Sequence, residues 1–160
     1  MSTRVKICGI MNLADAQVAA EAGADALGFV FYEKSPRFIS MKTAAEISRA
    51  LPPFIIRVGV FVDPSEELVL KTVAECGLTL LQFHGDEPPE FCAQFGLMSM
   101  KAFRIHGIES LKGVELDARL LVSFACKIAS AISFSEISML IISLMRPSSS
   151  GILMPSFAKS

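Results

Sequence analysis

Apolar runs and amphipathic stretches alternate along the first two-thirds of the chain. Five of the apolar runs are rich in β-branched and aromatic residues, which predicts strands at 4–8, 26–31, 55–62, 78–83 and 97–103. The second run, Ala26-Leu27-Gly28-Phe29-Val30-Phe31, contains no polar position. That pattern is typical of a parallel strand that is covered on both faces.

Helix boundary signals lie between these strands. Asn12 and Ser40 are predicted to cap the first two helices, and Asp63-Pro64, with the acids that follow, is typical of a third helix start. Gly77 stands where a glycine ends a helix, and Pro88-Pro89 is predicted to open a short fourth helix.

Alternating strands and helices predict a parallel sheet built from βαβ units. Two architectures use such units, an open doubly wound sheet and a closed (β/α)8 barrel. The predicted strands start about 23 residues apart, so eight units need about 186 residues, whereas the chain has 160. Length alone therefore favours an open sheet of five or six strands.

Composition excludes several classes of protein. The chain is 52% hydrophobic with a net charge of −1, which excludes a disordered protein and gives no basic face for nucleic acid. Cys8, Cys76, Cys92 and Cys126 are widely spaced and form no CxxC pair, so neither a disulfide framework nor a zinc site is expected. The first residues, MSTRVKICGIM, are too short and too interrupted for a secretory signal, and we expect a cytoplasmic protein.

Two side chains with reactive or anion-binding groups follow the first two predicted strands, at the ends where parallel α/β folds bind ligands. Cys8 closes the first strand, and Lys6 lies on the same strand face, where its ammonium favours a thiolate. Arg37 lies in the rigid turn Lys34-Ser35-Pro36-Arg37, where a guanidinium can hold a carboxylate or phosphate. Taken alone, the residues favour a small buried thiol for Cys8 and a solvated loop charge for Arg37.

A third candidate, His84, follows the fourth strand in Gln82-Phe83-His84-Gly85-Asp86. Side-chain alternation places Gln82 and His84 on one strand face. The second histidine, His106, has no evident partner and is interpreted as a loop residue. The chain contains no GxGxxG, P-loop, HExxH or GxSxG motif, so a nicotinamide cofactor, a nucleoside triphosphate, a catalytic zinc and a hydrolase triad have no support.

Six motifs in order resemble the phosphoribosylanthranilate isomerase family of tryptophan biosynthesis. They are Lys6-Ile7-Cys8-Gly9-Ile10, Gly28-Phe29-Val30-Phe31, Ser35-Pro36-Arg37, Val58-Gly59-Val60-Phe61, Gln82-Phe83-His84-Gly85-Asp86-Glu87 and Lys101-Ala102-Phe103. The resemblance covers residues 4 to about 112. It implies an incomplete (β/α)8 barrel with five to six recognisable βα units, in place of the open sheet that length favours.

The resemblance also implies a reaction and a set of residue roles. The family carries out an Amadori rearrangement of N-(5-phosphoribosyl)anthranilate to 1-(2-carboxyphenylamino)-1-deoxyribulose 5-phosphate, in which a general acid opens the ribose ring and a general base removes the C2 proton. By resemblance, Cys8 is the general base, Arg37 holds the anthranilate carboxylate, and Gln82 and His84 belong to the substrate pocket. Both steps are proton transfers, so no cofactor and no metal is expected, and the implied partner is the small phosphoribosyl substrate.

The match weakens near residue 120, where composition changes as well. Val122 or Ser123 stands where the family has the aspartate that acts as general acid, and Asp117 lies a strand length away from that position. The glycine-rich phosphate loops of the family are absent from the sequence. Residues 120–160 hold 11 serines and only four charged side chains, Lys127, Glu136, Arg146 and Lys159. We therefore expect two parts, 1–119 as the N-terminal part of a barrel and 120–160 as a divergent tail.

Several interpretations of this tail and of the function stay open. A shifted reading frame is favoured by the abrupt change, a divergent barrel end is an alternative, and a membrane helix at 120–145 is disfavoured by its charges and serines. Besides an isomerase, the chain is compatible with a catalytically inactive fragment of that enzyme or with another phosphosugar-binding barrel. Nothing in the sequence predicts an oligomeric state.

Overall fold

The computed structural model describes residues 4–105 and the backbone of 138–144. The elements follow in the order β1 (Lys6–Cys8), α1 (Leu13–Glu21), β2 (Ala26–Val30), α2 (Met41–Ala50), β3 (Ile56–Phe61), α3 (Glu66–Cys76), β4 (Leu80–Phe83), α4 (Pro89–Ala93), β5 (Met98–Ile105) and β6 (Ser138–Leu144). The five predicted strands and the helices between them are all present, with strand ends that differ by one or two residues from those expected.

Local capping interactions fix the helix ends. Asn12 Oδ1 accepts a hydrogen bond from the Asp15 amide at 2.8 Å at the start of α1. The cap of α3 is Ser65, whose hydroxyl accepts from the Leu68 amide at 3.2 Å, so this helix begins after the Asp-Pro pair rather than at it. Gly77 ends α3 with a φ of 60°, a left-handed conformation that glycine adopts at little cost.

The strand order decides between the two architectures. β1 to β5 are neighbours in sequence order, and every neighbouring pair among them is parallel. In a doubly wound sheet the order reverses at a switch point, whereas a (β/α)8 barrel adds each strand beside the previous one. The chain therefore folds as part of a (β/α)8 barrel, and the doubly wound topology that its length favours is wrong.

β6 departs from the parallel order, because it pairs antiparallel with β5. Ile105 stands opposite Ser138 and Ser99 opposite Leu144, so the edge of β5 is paired. Asp117, Val122 and Ser123, which were compared with the family's general acid, lie outside the described residues, as does most of the interval 120–145. The part of that interval that the structure describes is this strand, and no helix within the described ranges is long and apolar enough to cross a membrane.

The two faces of the sheet carry separate apolar clusters. On the helix-facing side, Leu27, Phe29, Phe61, Leu81 and Phe83 pack with the apolar faces of the helices. The opposite side, the barrel interior, has a smaller cluster built on Ala26, Val30, Val58 and Val60, with Cys8, Leu80 and Met100 packed against it. Because both faces are covered, the strands show no alternation of polar and apolar residues, and in parallel α/β folds ligand sites lie at the carboxyl ends of such strands.

Candidate active site

The four site residues expected from the sequence lie at the carboxyl ends of β1, β2 and β4. Cys8 is the last residue of β1, Arg37 lies in the connection after β2, Gln82 lies within β4 and His84 follows its last residue. These strands are parallel neighbours in one sheet, so their carboxyl ends share one edge. We refer to this edge as the mouth.

Cys8 and Lys6 both reach the space over Gly28 on the adjacent strand. A Cβ atom on Gly28 would lie 2.9 Å from Cys8 Sγ and 3.2 Å from Lys6 Nζ, which is closer than ordinary van der Waals contact. Glycine therefore leaves the room that the thiol and the ammonium occupy together. As the sequence predicted, Lys6 and Cys8 lie on the same face of β1. The half-buried thiol therefore lies beside the lysine ammonium.

Arg37 crosses the backbone of Gly9 to reach Cys8. Its Nη1 donates to the Cys8 carbonyl oxygen at 3.4 Å, and a Cβ on Gly9 would lie 2.5 Å from Arg37 Cδ. Gly9 also has a φ of 88°, so both the space and the backbone require glycine. Ser35 Oγ accepts from the Arg37 amide at 3.1 Å and shapes the turn. The exposed guanidinium is thus held beside the backbone of Cys8 and Gly9, with planar N–H groups suited to a carboxylate.

Gln82 brings a buried polar group to the interior face of β4. It pairs in register with Val60 on one side and Met100 on the other, and it is 2% exposed. Within the described ranges, its Oε1 has no hydrogen-bond donor. Leaving such an oxygen unpaired costs about 1–3 kcal/mol, so Gln82 is suited to accept a hydrogen bond from a ligand.

His84 follows β4 at the mouth, where its amide donates to the Phe61 carbonyl oxygen at 2.9 Å. This bond continues the ladder between β3 and β4 by one residue and fixes the histidine backbone. The side chain is half-buried. His84 thus stands two positions from Gln82 on the same strand-end segment, as the sequence indicates. His106 lies outside the described residues.

An ion pair that the sequence reasoning missed lies beside the mouth. Lys101 on β5 contacts Glu87 in the connection after β4, and their side chains are 11% and 3% exposed. A signal for it in the sequence is a lysine inside a mostly apolar strand, because a buried cation needs a partner. Both residues occur in the family motifs, where no role was assigned to them.

Metal ligation has no structural support in the part of the chain that the structure describes. No group of three or more histidine, cysteine, aspartate or glutamate side chains is placed there to hold an ion. Cys8, Cys76 and Cys92 are free thiols. Burial raises the pKa of Cys76 and of Cys92 to about 11, with the charge of Glu75 adding to the effect at Cys76.

We expect alkylation to distinguish the three thiols. Only the thiolate reacts, and the raised pKa values and burial of Cys76 and Cys92 suppress it at pH 8. Iodoacetamide should therefore modify half-buried Cys8 before Cys76 and Cys92, as measured by peptide mass spectrometry over time, whereas Cys126 lies outside the described residues. Protein unfolded in guanidinium serves as the control, where the rates should converge. Modification of Cys76 or Cys92 as fast as Cys8 in folded protein would contradict this arrangement.

Comparison with known proteins gives a consistent match. The family model of N-(5'-phosphoribosyl)anthranilate isomerase matches residues 5–123. A curated isomerase of that name from Geobacter sp. (strain M21) is 57% identical over 126 residues, covering 77% of this chain and 62% of the relative. One from Myxococcus xanthus is 50% identical over 111 residues, covering 69% of this chain and 52% of the relative.

Solved structures agree with the sequence relatives. Phosphoribosyl anthranilate isomerase from Thermotoga maritima superposes with a TM-score of 0.67 at 46% identity, covering 69% of this chain and 55% of that chain. The same TM-score and identity relate the chain to a phosphoribosyl anthranilate isomerase in complex with reduced 1-(o-carboxyphenylamino)-1-deoxyribulose 5-phosphate, of which 58% is covered.

The fold thus defines a (β/α)8-barrel protein, and its candidate site residues lie at the carboxyl ends of the strands. Within that class, the chain belongs to the N-(5'-phosphoribosyl)anthranilate isomerase family. It spans about three-fifths of the length of the first curated relatives that it matches.

Proposed function

We propose that the chain provides the N-terminal part of an N-(5'-phosphoribosyl)anthranilate isomerase and that its mouth binds the substrate of that enzyme. The observation that carries the proposal is that Cys8 Sγ and Lys6 Nζ share the space over Gly28, while the Arg37 side chain lies over Gly9 and donates to the Cys8 carbonyl oxygen. A thiolate at this position can take a proton, and a guanidinium at the same edge of the sheet is suited to hold an acidic substrate. The family membership supports the same conclusion.

Proton abstraction is the role proposed for Cys8. The thiolate takes the proton from C2 of the ring-opened substrate, and the resulting enolamine tautomerises to the ketone. Lys6, which shares the space over Gly28, places positive charge beside the sulfur. Gln82 and His84 are proposed to contact the substrate from the β4 side, where the Gln82 oxygen accepts a substrate hydroxyl. Acid–base chemistry of this kind uses neither metal nor cofactor.

A division of the chain near residue 120 is part of this proposal. The family match extends to residue 123, and β6 of the tail runs against the parallel order of the barrel. We propose that 1–119 is the N-terminal part of the barrel and that 120–160 is divergent sequence in which the general acid of the family has no counterpart. The free thiols at Cys8, Cys76 and Cys92 are compatible with the reducing cytoplasm that we propose as its location.

A chimeric protein tests the proposed function directly. Residues 1–119 are joined to the C-terminal part of the isomerase from Geobacter sp. (strain M21), the relative that is 57% identical, which supplies the remaining strands. We expect the chimera to support growth of a tryptophan-requiring strain that lacks the isomerase. The complete Geobacter protein is the positive control. A soluble chimera that fails to restore growth would contradict the proposal.

Substitution of Arg37 separates binding from chemistry. In the chimera, Arg37→Ala should raise KM by about 10- to 100-fold, because a hydrogen-bonded charge contributes about 1.5–3 kcal/mol. The carboxylate is present in substrate and transition state alike, so kcat should change little. Steady-state kinetics measure both constants, and Arg49→Ala, at an exposed position in the last turn of α2, is the matched control. A fall in kcat with unchanged KM would overturn this role.

A further inference from the structure

We propose that Glu87 and Lys101 are positioning residues, which hold the loop after β4, and with it His84, at the mouth of the barrel. The inference deepens the proposed function, since His84 is a substrate contact only within that proposal. The two side chains form one buried ion pair, and a network of hydrogen bonds surrounds it. This network connects the loops after β3 and β4 with Lys101 within β5.

The ion pair is placed behind the mouth, away from the barrel interior. Lys101 stands opposite Phe83 in the pairing of β4 with β5, and Phe83 belongs to the helix-facing cluster. From there, Lys101 Nζ contacts Glu87 Oε2 and donates to the Gly85 carbonyl oxygen at 2.6 Å. A substrate in the interior would lie on the other side of the strands. The pair therefore acts on the substrate through the loop that it holds.

The Glu87 carboxylate also accepts hydrogen bonds from two backbone amides. The Gly85 amide donates to both of its oxygens, at 3.2 and 3.0 Å, and the Asp63 amide donates to Oε1 at 2.9 Å. Asp63 follows β3, whereas Gly85 follows β4. One carboxylate thus joins the two loops, and the Lys101 ammonium compensates its buried charge.

Asp63 makes a second link between the same loops. Its Oδ1 accepts from the Asp86 amide at 2.6 Å, and a Cβ on Gly85 would collide with its carboxylate. Asp63 adopts a φ of 45°, which a non-glycine residue holds only where its surroundings impose it. The close approach of Asp63 to Gly85 therefore depends on both loops being held in this arrangement.

His84 lies between two anchored peptide groups. Its own amide is bound to the Phe61 carbonyl oxygen, and the next amide, that of Gly85, is bound to Glu87. The backbone on either side of the imidazole is thus fixed. Because a buried ion pair contributes little net stability compared with well-packed apolar residues, its use here is better explained by the geometry that it imposes.

Hydrogen exchange and NMR of the complete 160-residue chain test the proposal without substrate. The variants Glu87→Gln and Lys101→Met each leave one charge buried without its partner. We expect exchange of the Gly85 and Asp63 amides to become about tenfold faster or more, since these amides lose a charged acceptor or its stabilising partner. The double variant, which buries no unpaired charge, should exchange more slowly than either single variant.

The histidine signal reports on positioning itself. The chain has two histidines, His84 and His106, so the imidazole resonance of His84 is assigned with a His106→Gln variant. In Glu87→Gln and Lys101→Met this resonance should shift or broaden. The matched control is the exposed pair of Lys71 and Glu75, whose Nζ and Oε1 atoms are 4.0 Å apart. Lys71→Met and Glu75→Gln should leave the resonance and the loop amides unchanged.

Two results would overturn the proposal. Unchanged loop exchange and an unchanged His84 resonance would show that the pair does not position the loop. Equal acceleration of the β2 amides, such as that of Phe29, would assign the pair a general structural role. If both single variants fail to fold, Glu87→Asp decides by the same criteria, since it keeps the charge but shortens the reach. The exchange and NMR measurements do not depend on isomerase activity. Failure of the isomerase assay would therefore contradict the proposed function without deciding whether the ion pair positions the loop.

Discussion

Replacing Cys8 with alanine is expected to remove nearly all isomerase turnover from the chimeric barrel. The substitution deletes the group that takes the C2 proton, and a positioned general base contributes about 10²- to 10⁴-fold to a rate. We expect kcat to fall by about that factor, with a smaller change in KM, because Arg37 and the β4 side of the mouth still bind the substrate. Steady-state kinetics on purified chimera, with its fold checked by circular dichroism, measure the change.

The control for this experiment is Cys76→Ala, the same chemical change at the end of α3. Cys76 is buried among the helices and makes no contribution to the mouth, so turnover should persist as long as the protein is folded. Turnover by Cys8→Ala at the level of the unmodified chimera would exclude Cys8 as the general base. The placement of the thiol over Gly28 would then be a packing feature.

The second large effect concerns the 160-residue chain itself, which should turn over substrate far more slowly than the chimera. Ring opening needs a proton donor, and on our proposal Val122 or Ser123 stands in place of the aspartate of the family. Loss of a general acid alone costs about 10²- to 10⁴-fold. Without the glycine-rich phosphate loops, the substrate also loses contacts that orient it. The same assay applied to both proteins at equal concentration gives the ratio.

The opposite result would be equally informative. Turnover by the 160-residue chain in the ordinary enzyme range of about 1–10³ per second would show that residues 120–160 supply an acid and a phosphate site. Circular dichroism must show a folded chain for the comparison to hold. Translation of the alternative reading frames downstream of codon 120 provides an independent check. A frame that encodes an aspartate-terminated strand and glycine-rich loops would support the shifted-frame explanation of the tail.

Local structure could be predicted from the sequence because its causes are local. Asn12 caps α1 through a contact three residues away, and Gly77 ends α3 because its backbone tolerates a positive φ. The apolar runs predicted β1 to β5 to within one or two residues for the same reason. Strand ends in parallel folds carry ligand sites, so Cys8, Arg37, Gln82 and His84 could be selected from their positions in the sequence, although their roles remain proposals.

Contacts between distant segments could not be predicted in this way. Chain length favoured an open, doubly wound sheet. That expectation failed because the length of a chain carries no information on which strands pair. The barrel order follows from parallel neighbours all along β1 to β5. Similarly, the antiparallel pairing of β6 with β5 joins Ile105 to Ser138, and no local pattern specifies a partner at that separation.

The sequence by itself determined the elements, the strand ends that carry the candidate site, and the resemblance to one isomerase family. Tertiary structure decided how those ends are arranged: Arg37 over Gly9, Cys8 and Lys6 over Gly28, and Glu87 bound to Lys101. The physical reason is the separation along the sequence over which each kind of interaction acts. Propensity and capping act over a few residues, whereas a close approach across strands or a buried ion pair depends on the complete packing of segments far apart in the chain.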